Sequence, residues 1–78
     1  MDEESKVVVY GAPDCSYCVK AVELLEREQT PYTYHDVTKD LEALQMLKDR
    51  KLRTVPQVWV GNIHIGGYTQ LREHLLDV

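Results

Sequence analysis

Lys6-Val7-Val8-Val9-Tyr10-Gly11-Ala12-Pro13-Asp14-Cys15-Ser16-Tyr17-Cys18 is the stretch on which the architecture turns. Val7 to Tyr10 is a continuous apolar, β-branched run, which suits a strand covered on both faces. Gly11-Ala12-Pro13-Asp14 punctuates it as a loop. From Ser16 the period becomes helical: Cys18, Val22 and Leu25 fall on one stripe with Ala21 and Leu24 beside it, while Lys20, Glu23, Glu26 and Arg27 face away. Thr30-Pro31 ends that helix, because the residue before a proline avoids the helical region. Tyr32-Thr33-Tyr34-His35-Asp36-Val37 then reads as a second strand. A strand, helix and strand in this order imply a right-handed crossover between parallel strands.

Working outward, Leu41, Leu44 and Leu47 recur at helical spacing up to about Lys51, with Thr38 or Asp40 available as N-cap. Gln57-Val58-Trp59-Val60 and Ile63-His64-Ile65 flank Gly61-Asn62, which signals a hairpin with a type II′ turn. Trp59 alternates with Val58 and Val60, so it faces the other side of the sheet and packs a helix. Gly66-Gly67 closes the hairpin, and Thr69 is placed to cap a last helix with Leu71, Leu75 and Leu76 inside. The order is β-α-β-α-β-β-α, an α/β fold with a four-stranded mixed sheet and helices on both faces. The cysteines fall at the carboxyl end of the first strand, the edge where open α/β sheets place their chemistry.

Length and charge narrow the classes of function. A chain of 78 residues permits one domain, 1–78. With 9 Lys+Arg against 13 Asp+Glu, its net charge is −4, and it has no basic run to meet a phosphate backbone, which argues against nucleic acid. No apolar run approaches a membrane span, and the start Met1-Asp2-Glu3-Glu4 is the opposite of a secretory leader, so the expected compartment is the cytosol and no membrane partner is expected.

The two cysteines are the most informative part of the composition. A disulfide-stabilised secreted domain would carry more of them, and a structural zinc site would want four ligands. What remains is a redox pair or two ordinary thiols, Cys18 in the core and Cys15 at the surface. Redox exchange needs an accessible thiolate and a second thiol near enough to release a mixed disulfide. Cys15 falls where a helix N-terminus favours negative charge, so its pKa is expected below the free value of about 8.5. Cys18 lies one turn further, on the apolar stripe. On this reading Cys15 is the nucleophile and Cys18 the resolving thiol. The three histidines, His35, His64 and His74, show no spacing that completes a metal site, and His35 and His74 read as surface or packing residues.

Cys15-Ser16-Tyr17-Cys18, Thr54-Val55-Pro56 and Gly66-Gly67-Tyr68, in that order along a thioredoxin-like run of elements, resemble a glutaredoxin of the small dithiol kind found in bacteria and phages. The resemblance spans Lys6 to Leu76. It implies a thioredoxin-like fold and glutathione-dependent reduction of protein disulfides and protein–glutathione mixed disulfides. Ribonucleotide reductase is one protein substrate it implies, and the molecule is expected to be a monomer. It further implies that Pro56 is cis, that the backbone of Val55, flanked by Arg53 and Thr54, pairs with the glutathione cysteine, and that Tyr17 walls the groove. Gly67 and the N–H groups of Tyr68 and Thr69 would take the γ-glutamyl carboxylate, with Gln70 beside them. Taken alone, Thr54-Val55-Pro56 is a loop entering a strand, and Gly66-Gly67 a hairpin exit.

The chain departs from the family pattern at three places. Ser16 stands where many relatives have proline, which keeps open an alternative role in binding a glutathione-ligated iron–sulfur cluster. Ala12 stands where Lys or Arg is frequent, leaving Arg50, Lys51 and Arg53 as substitute cations. Thr69 and Gln70 stand where relatives are often acidic, so the contact to the glutathione ammonium would be a neutral hydrogen bond, weaker than a charge-assisted one. A further alternative is a glutaredoxin-like electron donor reduced by thioredoxin reductase, against which the Gly-Gly-Tyr element argues.

Overall fold

β1 (Val7–Gly11) lies inside the sheet and sends alternate side chains to opposite faces. The computed structural model describes residues 6–76, and the acidic start Met1-Asp2-Glu3-Glu4 lies outside them. After β1 come α1 (Ser16–Arg27), β2 (Tyr32–Asp36), α2 (Leu41–Asp49), β3 (Gln57–Val60), β4 (Ile63–Gly66) and α3 (Tyr68–Leu76). The sheet order is β2-β1-β3-β4, with β1 parallel to β2 and antiparallel to β3, and β4 antiparallel to β3. This is the order and the mixed four-stranded sheet expected from the sequence.

Period-two alternation builds two apolar layers. Val7, Val9 and Val58 pack with Ala21, Leu24 and Leu25 of α1 and Leu71 of α3. Trp59 packs with Val37, and with Ala43 and Leu47 of α2, while Val8 and Tyr10 lean on the same cluster. Helices α1 and α3 therefore share one face and α2 covers the other. The stripe of α1 is centred on Cys18, Ala21, Leu24 and Leu25, with Val22 only half-buried.

Helix ends explain where sequence and structure differ. Asp40 caps α2 by accepting from the Ala43 N–H at 3.1 Å. Leu41 is thereby the first helical residue, before the stripe meets the sheet, and is 74% exposed rather than inside. Leu76, at the end of α3, is likewise exposed. Both α1 and α2 end in Schellman motifs, with Gln29 (φ 55) and Lys51 (φ 61) in the left-handed region. In the second motif Leu52 N donates to Leu47 O at 2.9 Å and Lys51 N to Lys48 O at 2.9 Å.

The hairpin turns at Gly61 (φ 62) with Val60 opposite Ile63, as a two-residue loop requires. A bulge follows, since Val58 faces Gly66 while Trp59 faces His64. Thr69 is not the cap of α3. Gly67 takes that place, its carbonyl accepting from Leu71 N at 3.0 Å, because the helix begins one residue before Thr69.

Candidate active site

Gly11, expected in the loop, completes β1, and its carbonyl accepts from Val37 N at 2.9 Å. The chain then crosses Ala12-Pro13-Asp14 to Cys15, the N-cap of α1. Its sulfur does what a cap oxygen ordinarily does: Cys18 N donates to Cys15 Sγ at 3.0 Å. A backbone N–H aimed at the sulfur, added to the orphan donors of the helix start, favours thiolate over thiol.

The two sulfurs are in disulfide contact, with Cα atoms 5.1 Å apart. Cys15 is half-buried, and Cys18 is 1% exposed. One sulfur can therefore meet a substrate while the other waits beneath it. Ser16 is the first helical residue and exposed.

The three motifs meet pairwise. Cys15 Sγ lies 3.4 Å from Val55 O, and the Val55–Pro56 peptide is cis. A Cβ on Gly67 would sit 3.3 Å from Pro56 O, so the missing side chain lets the hairpin exit close on the proline loop. The Tyr17 and Tyr68 rings stand 5.7 Å apart across the remaining side. Lys20 Nζ is 5.1 Å from the Tyr17 ring centroid, and Tyr17 is 55% exposed.

At the head of α3 the backbone N–H groups of Tyr68 and Thr69 fall in the first turn, where no intrahelical acceptor exists. Gln70 Oε1 accepts from Gly67 N at 2.9 Å, which is half of a capping box. Of Thr69 and Gln70, the two residues expected near the glutathione ammonium, Gln70 thus has its oxygen engaged at the helix start. Gly66 is needed as glycine because its φ of 121° is one that L side chains rarely adopt, and a Cβ there would also displace the Gln70 side chain.

Beside Val55 opens a groove of about 790 Å³, floored by Val37, Leu44 and Leu47 and rimmed by Lys48, Lys51 and Arg53. Of the three expected cations, Lys51 and Arg53 face this groove, and Arg53 is followed by Thr54 in its wall. Arg50 instead lies over the Trp59 ring, 5.7 Å from its centroid. Lys48 joins them, which was not foreseen.

Titration behaviour around the site has local causes. Burial, aided by the Asp36 carboxylate, holds the Tyr34 phenol above its ordinary value. Two hydrogen bonds from Thr38, at 2.6 Å and 2.9 Å, hold Asp36 below the usual carboxylate range. Tyr32 donates to Glu26 at 2.8 Å, and that bond raises the phenol.

Two residues around the site are not flagged by the sequence: Tyr34, beside the Cys18 sulfur, and Gln57, behind the Thr54–Pro56 loop. A Cβ on Gly11 would overlap the Tyr34 hydroxyl and come within 2.9 Å of Cys18 Sγ, so hydroxyl and sulfur crowd the same side of Gly11. Gln57 is 7% exposed at the entrance to β3, and a polar residue beside an apolar run was the available signal. Among the described residues no three His, Cys, Asp or Glu side chains converge on one point. No helix among them is long and apolar enough to cross a membrane.

The family model for Glutaredoxin matches residues 7–65. Glutaredoxin 1 of Escherichia coli (strain K12) is 38% identical over 72 residues, covering 82% of this chain and 85% of its own length. The glutaredoxin of Pseudomonas aeruginosa is 34% identical over 73 residues, covering 91% of this chain and 83% of its own. Among solved structures, a buckwheat glutaredoxin–glutathione complex superposes with a TM-score of 0.74 at 28% identity, covering 88% of this chain and 67% of that one. A mutant of a thioredoxin-like protein superposes at 0.78 and 30% identity, over 96% and 99% of the two chains.

Proposed function

Because the chain belongs to the glutaredoxin family, we propose that this thiol–disulfide oxidoreductase is glutathione-dependent and reduces both protein disulfides and protein–glutathione mixed disulfides. The observation that carries the reading is the pairwise meeting of the Cys15, Val55–Pro56 and Gly67–Tyr68 segments around one accessible sulfur. The buckwheat glutaredoxin that this chain resembles binds glutathione, which supports the same ligand here.

The chemistry follows from the two environments. The Cys15 thiolate attacks one sulfur of the substrate disulfide, a new S–S bond forms, and the second substrate sulfur leaves as a thiolate that takes a proton from water. On a glutathionylated protein the attack falls on the glutathione sulfur, and the protein thiol leaves. Cys18 then loses its proton and attacks Cys15 Sγ, expelling the bound thiol and closing the Cys15–Cys18 disulfide. Alternatively a glutathione thiolate attacks the mixed disulfide and restores Cys15. Two glutathione molecules return the closed disulfide to the dithiol: they give it two electrons and two protons and leave joined as glutathione disulfide.

Val55 offers its backbone to the tripeptide, and the first-turn N–H groups of Tyr68 and Thr69 take the γ-glutamyl carboxylate. Lys51 and Arg53 attract the glycine carboxylate in place of a cation at position 12, and Tyr17 closes the wall. Ribonucleotide reductase is a protein substrate for such a donor, and the protein acts as a cytosolic monomer.

The test is hydroxyethyl disulfide reduction coupled to glutathione, glutathione reductase and NADPH. Wild type turns over, Cys15→Ser does not, and Cys18→Ser keeps deglutathionylation while losing dithiol reduction. An inactive wild type, or one reduced only by thioredoxin reductase, overturns the proposal.

A further inference from the structure

Gln57 is a buried amide at the start of β3, so both ends of its side chain need partners. Its Nε2 lies 2.9 Å from Thr54 O and 3.1 Å from Thr54 Oγ1. A carbonyl oxygen can only accept, so the amide nitrogen must face Thr54 and the amide oxygen must face the other way. There Gln57 Oε1 meets His64 Nε2 at 2.6 Å, which makes that ring nitrogen the donor. The imidazole comes from β4 and rests on the Trp59 ring, with centroids 4.4 Å apart. A chain of hydrogen bonds thus runs from β4 through β3 to Thr54.

Thr54 and Gln57 bracket Val55 and Pro56. The Gln57 amide closes this segment into a loop by holding the carbonyl three residues earlier, and Val55 O in the same loop stands 3.4 Å from Cys15 Sγ. The Thr54 carbonyl and the Val55 N–H lie in one planar peptide unit, so holding the first fixes the direction of the second.

We propose that Gln57 is a positioning residue for substrate recognition, and that His64 holds its amide in register. Through Thr54, the pair fixes the direction in which Val55 presents its backbone to the peptide that carries the substrate thiol. The inference rests on the glutathione reading given above. It adds that selectivity for a peptidyl thiol over a plain one is set outside the contact shell, by a side chain that touches neither substrate nor sulfur.

The test separates recognition from reactivity. In a Cys18→Ser background, Cys15 is equilibrated with glutathione disulfide and, separately, with mercaptoethanol disulfide, and the mixed disulfides are quantified by mass spectrometry. Gln57→Glu keeps an acceptor for His64 but removes the donor to Thr54 O, and His64→Phe keeps a ring against Trp59 but removes its N–H. Gln57→Glu is expected to lower the preference for glutathione over mercaptoethanol about tenfold, the scale of one well-made hydrogen bond. His64→Phe is expected to lower it by a smaller factor, about threefold. An unchanged preference in Gln57→Glu, or an equal loss with both thiols, overturns the proposal, because a merely structural role moves both alike. A Cys18→Ser parent with no preference for glutathione overturns the glutathione reading instead. The hydrogen-bond chain is then decided by the Thr54 and Val55 amide resonances, whose failure to shift in Gln57→Glu overturns it.

Discussion

Gly11→Ala tests how tightly Cys18 is packed. Gly11 is buried in β1, and its φ lies outside the left-handed region, so alanine suits the backbone and the whole effect is steric. The added Cβ would overlap the Tyr34 hydroxyl, and would sit 2.9 Å from Cys18 Sγ and 3.0 Å from Tyr34 Cζ. Tyr34 is 36% exposed and can swing toward water, whereas Cys18, at 1% exposed, can move only by disturbing α1. Overpacking of this kind costs about 1–3 kcal/mol. In a domain this small, each kcal/mol moves Tm by roughly 4–8 °C. Urea titrations of Gly11→Ala should therefore show a lower midpoint with an unchanged slope, in dithiothreitol as well as oxidised. Placing the substitution in a Tyr34→Phe background removes the hydroxyl and should recover about 0.5–1 kcal/mol of the loss, a coupling of the size seen between touching residues. A neutral Gly11→Ala would refute the crowding, and an equal loss in both backgrounds would refute the role given to Tyr34.

Three further outcomes are expected. Lys51 occupies the left-handed C′ position of α2, so Lys51→Gly should raise stability by up to about 1 kcal/mol while weakening glutathione binding through loss of a groove cation; Gln29→Gly, at the equivalent place after α1, should stabilise without touching turnover, and thermal melts beside the coupled assay check both. Asp36 is held below its ordinary value of 3.8 by Thr38, so its stabilisation is full above that pH and fades as the pH falls through the lower folded value; the stability difference between wild type and Asp36→Asn should shrink on acidification, and a pH-independent difference would count against the Thr38 bonds. Gln70→Ala should cost about 0.5–1 kcal/mol by freeing the Gly67 N–H, and Gln70→Glu should restore the loss and add a favourable helix-dipole contact, as read from urea midpoints.

Period and punctuation carried most of the architecture. The continuous apolar run Val7–Tyr10 announced a strand covered on both faces, and Trp59, alternating with Val58 and Val60, packs against α2 as its parity required. The cysteine spacing placed one sulfur at a helix start and the other on the buried stripe, because the step from residue 15 to residue 18 is nearly one helical turn. Legibility failed where an end effect or a tertiary contact decides. Leu41 has the spacing of a core residue but precedes the turn that meets the sheet. Thr69 has the chemistry of a cap, yet Gly67 takes the position, since the close approach to Pro56 O and the reach of Gln70 are set by the folded hairpin. Arg50, Lys51 and Arg53 look equivalent in sequence, but the left-handed residue at Lys51 reverses the chain, so Arg50 falls on Trp59 while Lys51 and Arg53 turn to the groove.

The redox pair also bears on how so small a fold stays folded. A disulfide between residues three apart closes a very short loop, for which the chain-entropy model gives only about 2 kcal/mol. The proposed reaction opens that bond in every cycle, so the native state must hold without it. The side chains that do so are Val9, Leu24, Leu25, Val58 and Leu71, fully buried on the α1–α3 face, with the Trp59 cluster sealing the other. Cys18 belongs to the same buried set, where a thiol would pack as a small hydrophobe. Burial disfavours its charged form, whereas Cys15 has a backbone N–H aimed at its sulfur. In the proposed mechanism, the burial that lets Cys18 contribute to the core also suits it to be the second nucleophile, held beneath Cys15 until that sulfur is captured as a mixed disulfide.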